Sequence, residues 1–199
     1  KPVDILAGAG LFSIAIGFAF KDIFENLLAG MLLLFRQPFE SGDQVEVKDA
    51  EGTVQRVTIR ETRIMTYDGQ LKIIPNSDVY KNVIRVQTAE QRRRMEFLVG
   101  VAYEDDLDVA RDTIREALAG VPDIADDRAP EALIAALAAS TINIRARFWC
   151  ASAQKDALHA LDSAIYEVKT ALDEAGVQLP CDIVTIQGTS SLQAALSGR

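Results

Sequence analysis

The side chains able to make or break bonds are few in this 199-residue chain, and they are poorly placed to cooperate. His159 is the single histidine, in the middle of a stretch with helical period, so a Ser-His-Asp or Cys-His relay has nothing to build on. Cys150 and Cys181 are the only cysteines. With no second Cys or His at ligand spacing they suit reduced cytosolic thiols rather than a disulfide framework or a zinc site. Glu104, Asp105 and Asp106 form a carboxylate cluster, but they precede a helical pattern, where capping and the helix dipole account for acids. Gly8 and Gly10 precede no strand–helix turn, so they are not a dinucleotide fingerprint, and no phosphate-binding loop occurs. Trp149 reads as a core or interface residue. These absences argue against an enzyme and imply neither cofactor nor metal.

Charge excludes a further class. The net charge of −8 argues against a general nucleic-acid binder. The basic run Gln91–Arg94 lacks interleaved aromatics and reads as a solvated face or a partner contact. With 49% apolar and 25% charged residues, the composition is otherwise that of a globular protein.

The informative residues lie in the first stretch. No residue from Ile5 to Phe20 is charged. As a helix, Val3–Phe20 reaches about 27 Å, close to the ~30 Å of a bilayer's hydrocarbon core, so the stretch is expected to span a membrane. Ala7, Gly8, Ala9, Gly10, Ser13, Ala15, Gly17 and Ala19 are small, which lets neighbouring helices approach closely. Leu11, Ile14, Phe18 and Asp22 fall at i, i+3, i+7 and i+11, one face of the helix. In a ring of such helices that face would line a pore, and apolar rings close pores by dewetting. A lone anchor, or one helix of a larger bundle, is the alternative. Lys21-Asp22 is expected to end the span at the interface. Beyond it, Phe24, Leu27, Leu28, Met31, Leu34 and Phe35 recur at helical spacing and suit a helix lying on the membrane surface, stopped by Pro38. Lys21 and Arg36 favour a cytoplasmic position for the chain beyond the span.

After Phe39 the pattern turns to short strands: Gln44–Val47, Thr53–Ile59, Glu61–Tyr67, Leu71–Ile74 and Asn82–Val86. A turn is expected at Asp49–Gly52, another at Asp68-Gly69, and a turn with a helix N-cap at Pro75–Asp78. Five short strands imply a small, strongly bent barrel. A second pattern comes next: a strand at Glu96–Ala102, a helix at Asp105–Ala119, strands at Glu131–Ala138 and Thr141–Trp149, a helix at Lys155–Ala175 closed by Gly176, and a strand at Asp182–Gln187. This β-α-β-β-α-β order is the ferredoxin-like split unit. The tail Thr189–Arg199 is small and polar.

Gly17-Phe18-Ala19-Phe20-Lys21-Asp22, Asn26-Leu27-Leu28-Ala29-Gly30 and Phe35-Arg36-Gln37-Pro38-Phe39 with Gly42-Asp43 resemble the small-conductance mechanosensitive channel family. Ile73-Ile74-Pro75-Asn76, Asn82-Val83-Ile84, Val99-Gly100-Val101-Ala102-Tyr103 and Ser140-Thr141-Ile142-Asn143-Ile144 extend the resemblance to about residue 187. Leu179-Pro180-Cys181 departs from the Phe-Pro-aromatic-Pro pattern common there.

The resemblance implies a kinked, pore-lining membrane helix with its interfacial continuation (1–39), then an all-β Sm-like barrel (40–90). An α+β ferredoxin-like cytoplasmic domain (91–188) and the tail (189–199) would complete the chain. It implies gate rings at Ile14 and Phe18, lining by Leu11 and Asp22, helix packing through Gly10 and Gly17, and a kink at Lys21-Asp22. Asn26, Gly30 and Arg36 would couple the interfacial helix to the barrel. The implied protein is a homo-oligomer, a heptamer, in a bacterial inner membrane and in contact with its lipids. Opened by tension in hypoosmotic shock, it would release ions and small solutes. Further membrane helices are expected before Lys1. A membrane-anchored scaffold or ligand sensor is the alternative function.

Overall fold

The computed structural model describes residues 2–179 of the chain, though not the side chains of residues 2–9 or of Leu11. It forms two compact units, one of Lys1–Arg93 with Ser152–Lys155, the other of Arg94–Ala151 with Asp156–Arg199.

The first unit starts with helix α1, Pro2–Arg36. Helical backbone continues through Lys21-Asp22 as far as Arg36. The helix ends one residue before Gln37, whose N–H donates to the Leu33 carbonyl at 2.9 Å and whose φ is +44°.

Five strands come after it: β1 (Gln44–Val47), β2 (Ala50–Val57), β3 (Glu61–Thr66), β4 (Leu71–Pro75) and, beyond the short helix α2 (Asn76–Lys81), β5 (Ile84–Val86). They make one antiparallel sheet in the order β4-β3-β2-β1-β5. Their alternating apolar residues point inward. Val45, Val47, Ala50, Val54, Ile64 and Val79 pack into one core with Leu33 of α1 and Phe39. The β1–β2 turn is Lys48-Asp49, not Asp49–Gly52, and Lys48 takes its positive φ of 54°. Gly52 belongs to the strand. A Cβ there would lie 2.1 Å from the Met65 carbonyl oxygen, so close strand approach and not a turn demands the glycine.

The second unit holds most of β6 (Arg92–Val101), then α3 (Leu107–Ala119), β7 (Glu131–Leu137), β8 (Ile142–Ala151) and most of α4 (Gln154–Glu174). Its sheet runs β6-β8-β7, three of the strands a split β-α-β-β-α-β unit requires. Along β8, Ile142, Ile144, Ala146, Phe148 and Cys150 alternate inward and are buried. Ile114 and Leu118 of α3 and Ala157, Ala160, Ala164, Val168 and Leu172 of α4 join that core. The acidic cluster proves to be a cap: Asp106 Oδ1 accepts the N–H groups of Asp108 (2.9 Å) and Val109 (3.2 Å). Gly176, at φ +74°, ends α4 with the Val177 N–H on the Leu172 carbonyl. Trp149 lies under the Arg128 guanidinium, 4.0 Å from its ring centroid. Pro180, Cys181, the expected strand Asp182–Gln187 and the tail lie outside the described residues.

Candidate functional site

Among the described residues no group of His, Cys, Asp and Glu could hold a metal ion. His159 is exposed on α4, and Cys150 is buried in the second core. The feature that joins several predicted site residues is a seam: the foot of α1 is seated on the five-stranded sheet and α2.

Ala29, Gly30 and Leu33 of α1 are buried there, and Asn26 is half-buried. Asn26 Oδ1 accepts the backbone N–H of Ser77 at 3.0 Å, while its Nδ2 donates to the Asp22 carbonyl at 2.9 Å. Ser77 belongs to α2, where the sequence predicts a turn and a side-chain N-cap. Instead Pro75 precedes the helix with no side-chain cap bond, and Asn76 is fully buried. Asn76 Nδ2 donates to the Thr58 carbonyl (2.8 Å), its Oδ1 accepts from Thr62 Oγ1 (2.9 Å), and its N–H donates to the Arg60 carbonyl (3.0 Å). One amide thus ties α2 to β3 and to the β2–β3 connection, with every polar atom satisfied. Gly30 lies against this knot: a Cβ on it would stand 2.0 Å from the Ile59 carbonyl oxygen and 2.5 Å from Asn76 Nδ2. Glu25 forms an ion pair with Lys81 of α2. Next to the seam a cleft of about 560 Å³ opens between Asp22, Ile23, Asn26 and Leu27 of α1 and Ile59, Arg60, Glu61, Ile73 and Pro75 of the sheet and its β2–β3 connection.

Asn26 and Gly30 are therefore brought together at this seam. Arg36 is not: it is exposed and makes no hydrogen bond or ion pair among the described residues. Ile14 and Phe18 are 59% and 73% exposed, and Lys21 and Asp22 are exposed as well. Gly10 and Gly17 have open space around them within this one chain, and the Leu11 side chain is not among those described. Sequence reasoning misses Asn76, Ser77, Thr62 and the Glu25–Lys81 pair. A polar Asn-Ser directly after the apolar strand Leu71–Pro75 is the available signal, but it reads equally well as capping. The basic run likewise proves engaged, with Arg93 Nη1 donating to Gln87 Oε1 at 3.1 Å.

One helix thus carries a bare apolar upper face and a lower end seated on a five-stranded sheet. Two family models match the chain, "Mechanosensitive ion channel, beta-domain" over residues 22–85 and "Mechanosensitive ion channel MscS, C-terminal" over residues 95–179. An uncharacterized MscS family protein of Archaeoglobus fulgidus is 30% identical over 98% of this chain and 68% of its own length. The small-conductance mechanosensitive channel MscMJ of Methanocaldococcus jannaschii is 37% identical over 59% of this chain and 35% of its own. The closed-state crystal structure of Helicobacter pylori MscS superposes with a TM-score of 0.87 at 25% identity, covering 96% of this chain and 75% of that one. The chain belongs to the MscS family of mechanosensitive channels.

Proposed function

We propose that the chain forms the pore-lining helix and the cytoplasmic part of a tension-gated channel assembled from several copies, seven by the family resemblance. Among the described residues no helix is long and apolar enough to cross a membrane. The proposal that the upper part of α1 lies in one rests on its uncharged run from Ile5 to Phe20 and on its bare apolar side chains. Phe12, Ile14, Ile16, Phe18 and Phe20 are all exposed in the single chain. Leaving such side chains in water costs on the order of 1.5–3 kcal/mol each relative to burial.

The observation that carries the reading is the continuity of α1. Ile14 and Phe18 stand on the helix whose foot, from Asn26 to Leu33, is seated on the barrel, with no break between them. Helices packed through Gly10 and Gly17 would bring Ile14 and Phe18 of each copy to one axis as an apolar constriction. Tension favours whichever state occupies more membrane area, so it shifts the population towards splayed helices. Ions and small solutes would then pass, with Asp22 one turn beyond Phe18 in the conduit.

The test is patch recording of the full-length protein under graded suction. Stepwise currents are expected, with a threshold that falls when Phe18→Ser wets the constriction. Silence up to patch rupture with protein present in the membrane would overturn the proposal and favour an anchored scaffold.

A further inference from the structure

Helix α4 begins without a cap of its own. The first N–H groups of a helix have no partner inside it, and the residue just before the helix commonly supplies one from a short polar side chain. Helix α3 follows that rule, with Asp106 in place. Before Gln154 stands Ala153, whose methyl group accepts nothing. The Gln154 N–H instead donates to Gln44 Oε1 at 2.7 Å, a side chain 110 residues earlier in the sequence. Arg93 Nη2 donates to Gln154 Oε1 at 2.6 Å, and the Ser152 N–H donates to the Gln91 carbonyl at 3.1 Å. Ser152 is buried. All of these residues belong to the first unit, to which the chain returns for Ser152–Lys155 before α4 runs on into the second.

Gln44 is itself fixed by strand pairing. Its carbonyl accepts the Gln87 N–H at 2.7 Å, and its own N–H donates to Thr88 Oγ1 at 3.1 Å. These bonds lie one step beyond the Val45↔Val86 register of β1 and β5. Alternation puts Val45 in the core and the Gln44 side chain on the other face of the sheet. A slip of one residue would reverse the two. Arg93 Nη1 meanwhile donates to Gln87 Oε1 at 3.1 Å, so one guanidinium joins the end of the β5 segment to the first residue of α4. We propose that Gln44, Gln87, Arg93 and Gln154 form a clasp that orders the first turn of α4 only while β1 and β5 keep their register. A disturbance of that pairing reaches α4 as the loss of its borrowed cap. By linkage, fraying at the start of α4 releases Gln44 and Arg93 and loosens the same end of the sheet. Helix α3, capped from its own sequence, has no such dependence.

Amide hydrogen exchange of the full-length protein in lipid nanodiscs reads the clasp at two sites, the Gln154 N–H on Gln44 and the Ser152 N–H on Gln91. Losing a capping contact shifts an equilibrium by about 2- to 30-fold. Gln44→Ala should speed exchange at Gln154 by that factor, and at Ser152 with it, although Ser152 is held by a different residue. Arg93→Met, which leaves the bond to the Gln154 N–H in place, should speed the same two amides. Gln44→Glu keeps an oxygen acceptor at the same reach and should leave both protected. The amides of Asp108 and Val109, capped by Asp106, and of Val54 on the Asp43 carbonyl are the folding controls and should keep their rates. In the double variant the acceleration should fall short of the product of the two single effects, because one clasp opens only once. Gln154 as protected in Gln44→Ala as before, or Ser152 unmoved in both single variants, overturns the clasp and leaves Gln44 a local contact. If Gln44→Ala fails to fold, Arg93→Met decides alone: joint acceleration upholds the clasp, and unmoved amides overturn it.

Discussion

Gly30→Ala is the sharpest test of the seam. On an isolated helix the change would stabilise α1 by about 1 kcal/mol. Here the new Cβ would stand 2.0 Å from the Ile59 carbonyl oxygen and 2.7 Å from its carbon, both backbone atoms that no rotamer change can move. Reaching an ordinary contact of 3.4 Å requires a local separation of about 1.4 Å, from 3.4 less 2.0. A shift of that size breaks the 3.0 Å bond between Asn26 and Ser77, at a cost of about 0.5–1.5 kcal/mol. It also strains the packing of Ala29 and Leu33, about 1–3 kcal/mol for an overfilled contact. Subtracting the gain in helix propensity leaves the docked state less favourable by about 1–3 kcal/mol. Exchange at the Ser77 amide should therefore accelerate about 5- to 150-fold in the full chain, while amides in the second unit keep their rates. Under the proposed function the tension threshold should change in parallel. A Gly30→Ala protein with Ser77 as protected as before, or one stabilised by the full propensity gain, would refute the account of the seam.

The same unit yields two more tests. Thr62→Val removes the side-chain donor that Asn76 Oδ1 has among the described residues, at a fully buried site, so chemical denaturation should show a loss of about 1–3 kcal/mol. An unchanged midpoint would mean that water or another donor serves the amide. Asp49 accepts a hydrogen bond from Lys72 Nζ at 3.2 Å, which, with the Lys72 charge, holds its carboxyl below the usual carboxylate range. A group depressed in this way stabilises the fold above its unfolded pKa, and the contribution fades as pH falls through its folded value. NMR titration should find the Asp49 midpoint below that of a free aspartate and rising in Lys72→Met; a midpoint that ignores the substitution would dissociate the two residues.

Much of the architecture is legible in the sequence because it depends on local periods. Val45/Val47 in β1 and the Ile142–Cys150 alternation in β8 show which face is buried before any partner is known. Asp106 as a cap and Gly176 as a helix terminator are equally local. The misreadings share one cause. Gly52 looks like a turn residue, but the need for it comes from the Met65 backbone on the neighbouring strand. Asn76 looks like a cap, but its three partners come from elsewhere in the barrel. Asn26 and Gly30 stand out through family resemblance. Their partners, Ser77 and Ile59, cannot be found by spacing alone.

The seam also has a history on the ribosome. Asn26 and Ser77 are 51 residues apart. At synthesis rates of about 5–20 residues per second, the helix foot emerges roughly 3–10 s before its partner exists. During that interval Ala29, Leu33 and the rest of the seated face have no barrel to bury against, while the upper part of α1 is uncharged and apolar. The chain is thus ordered so that the helix is made before the sheet on which it comes to be seated.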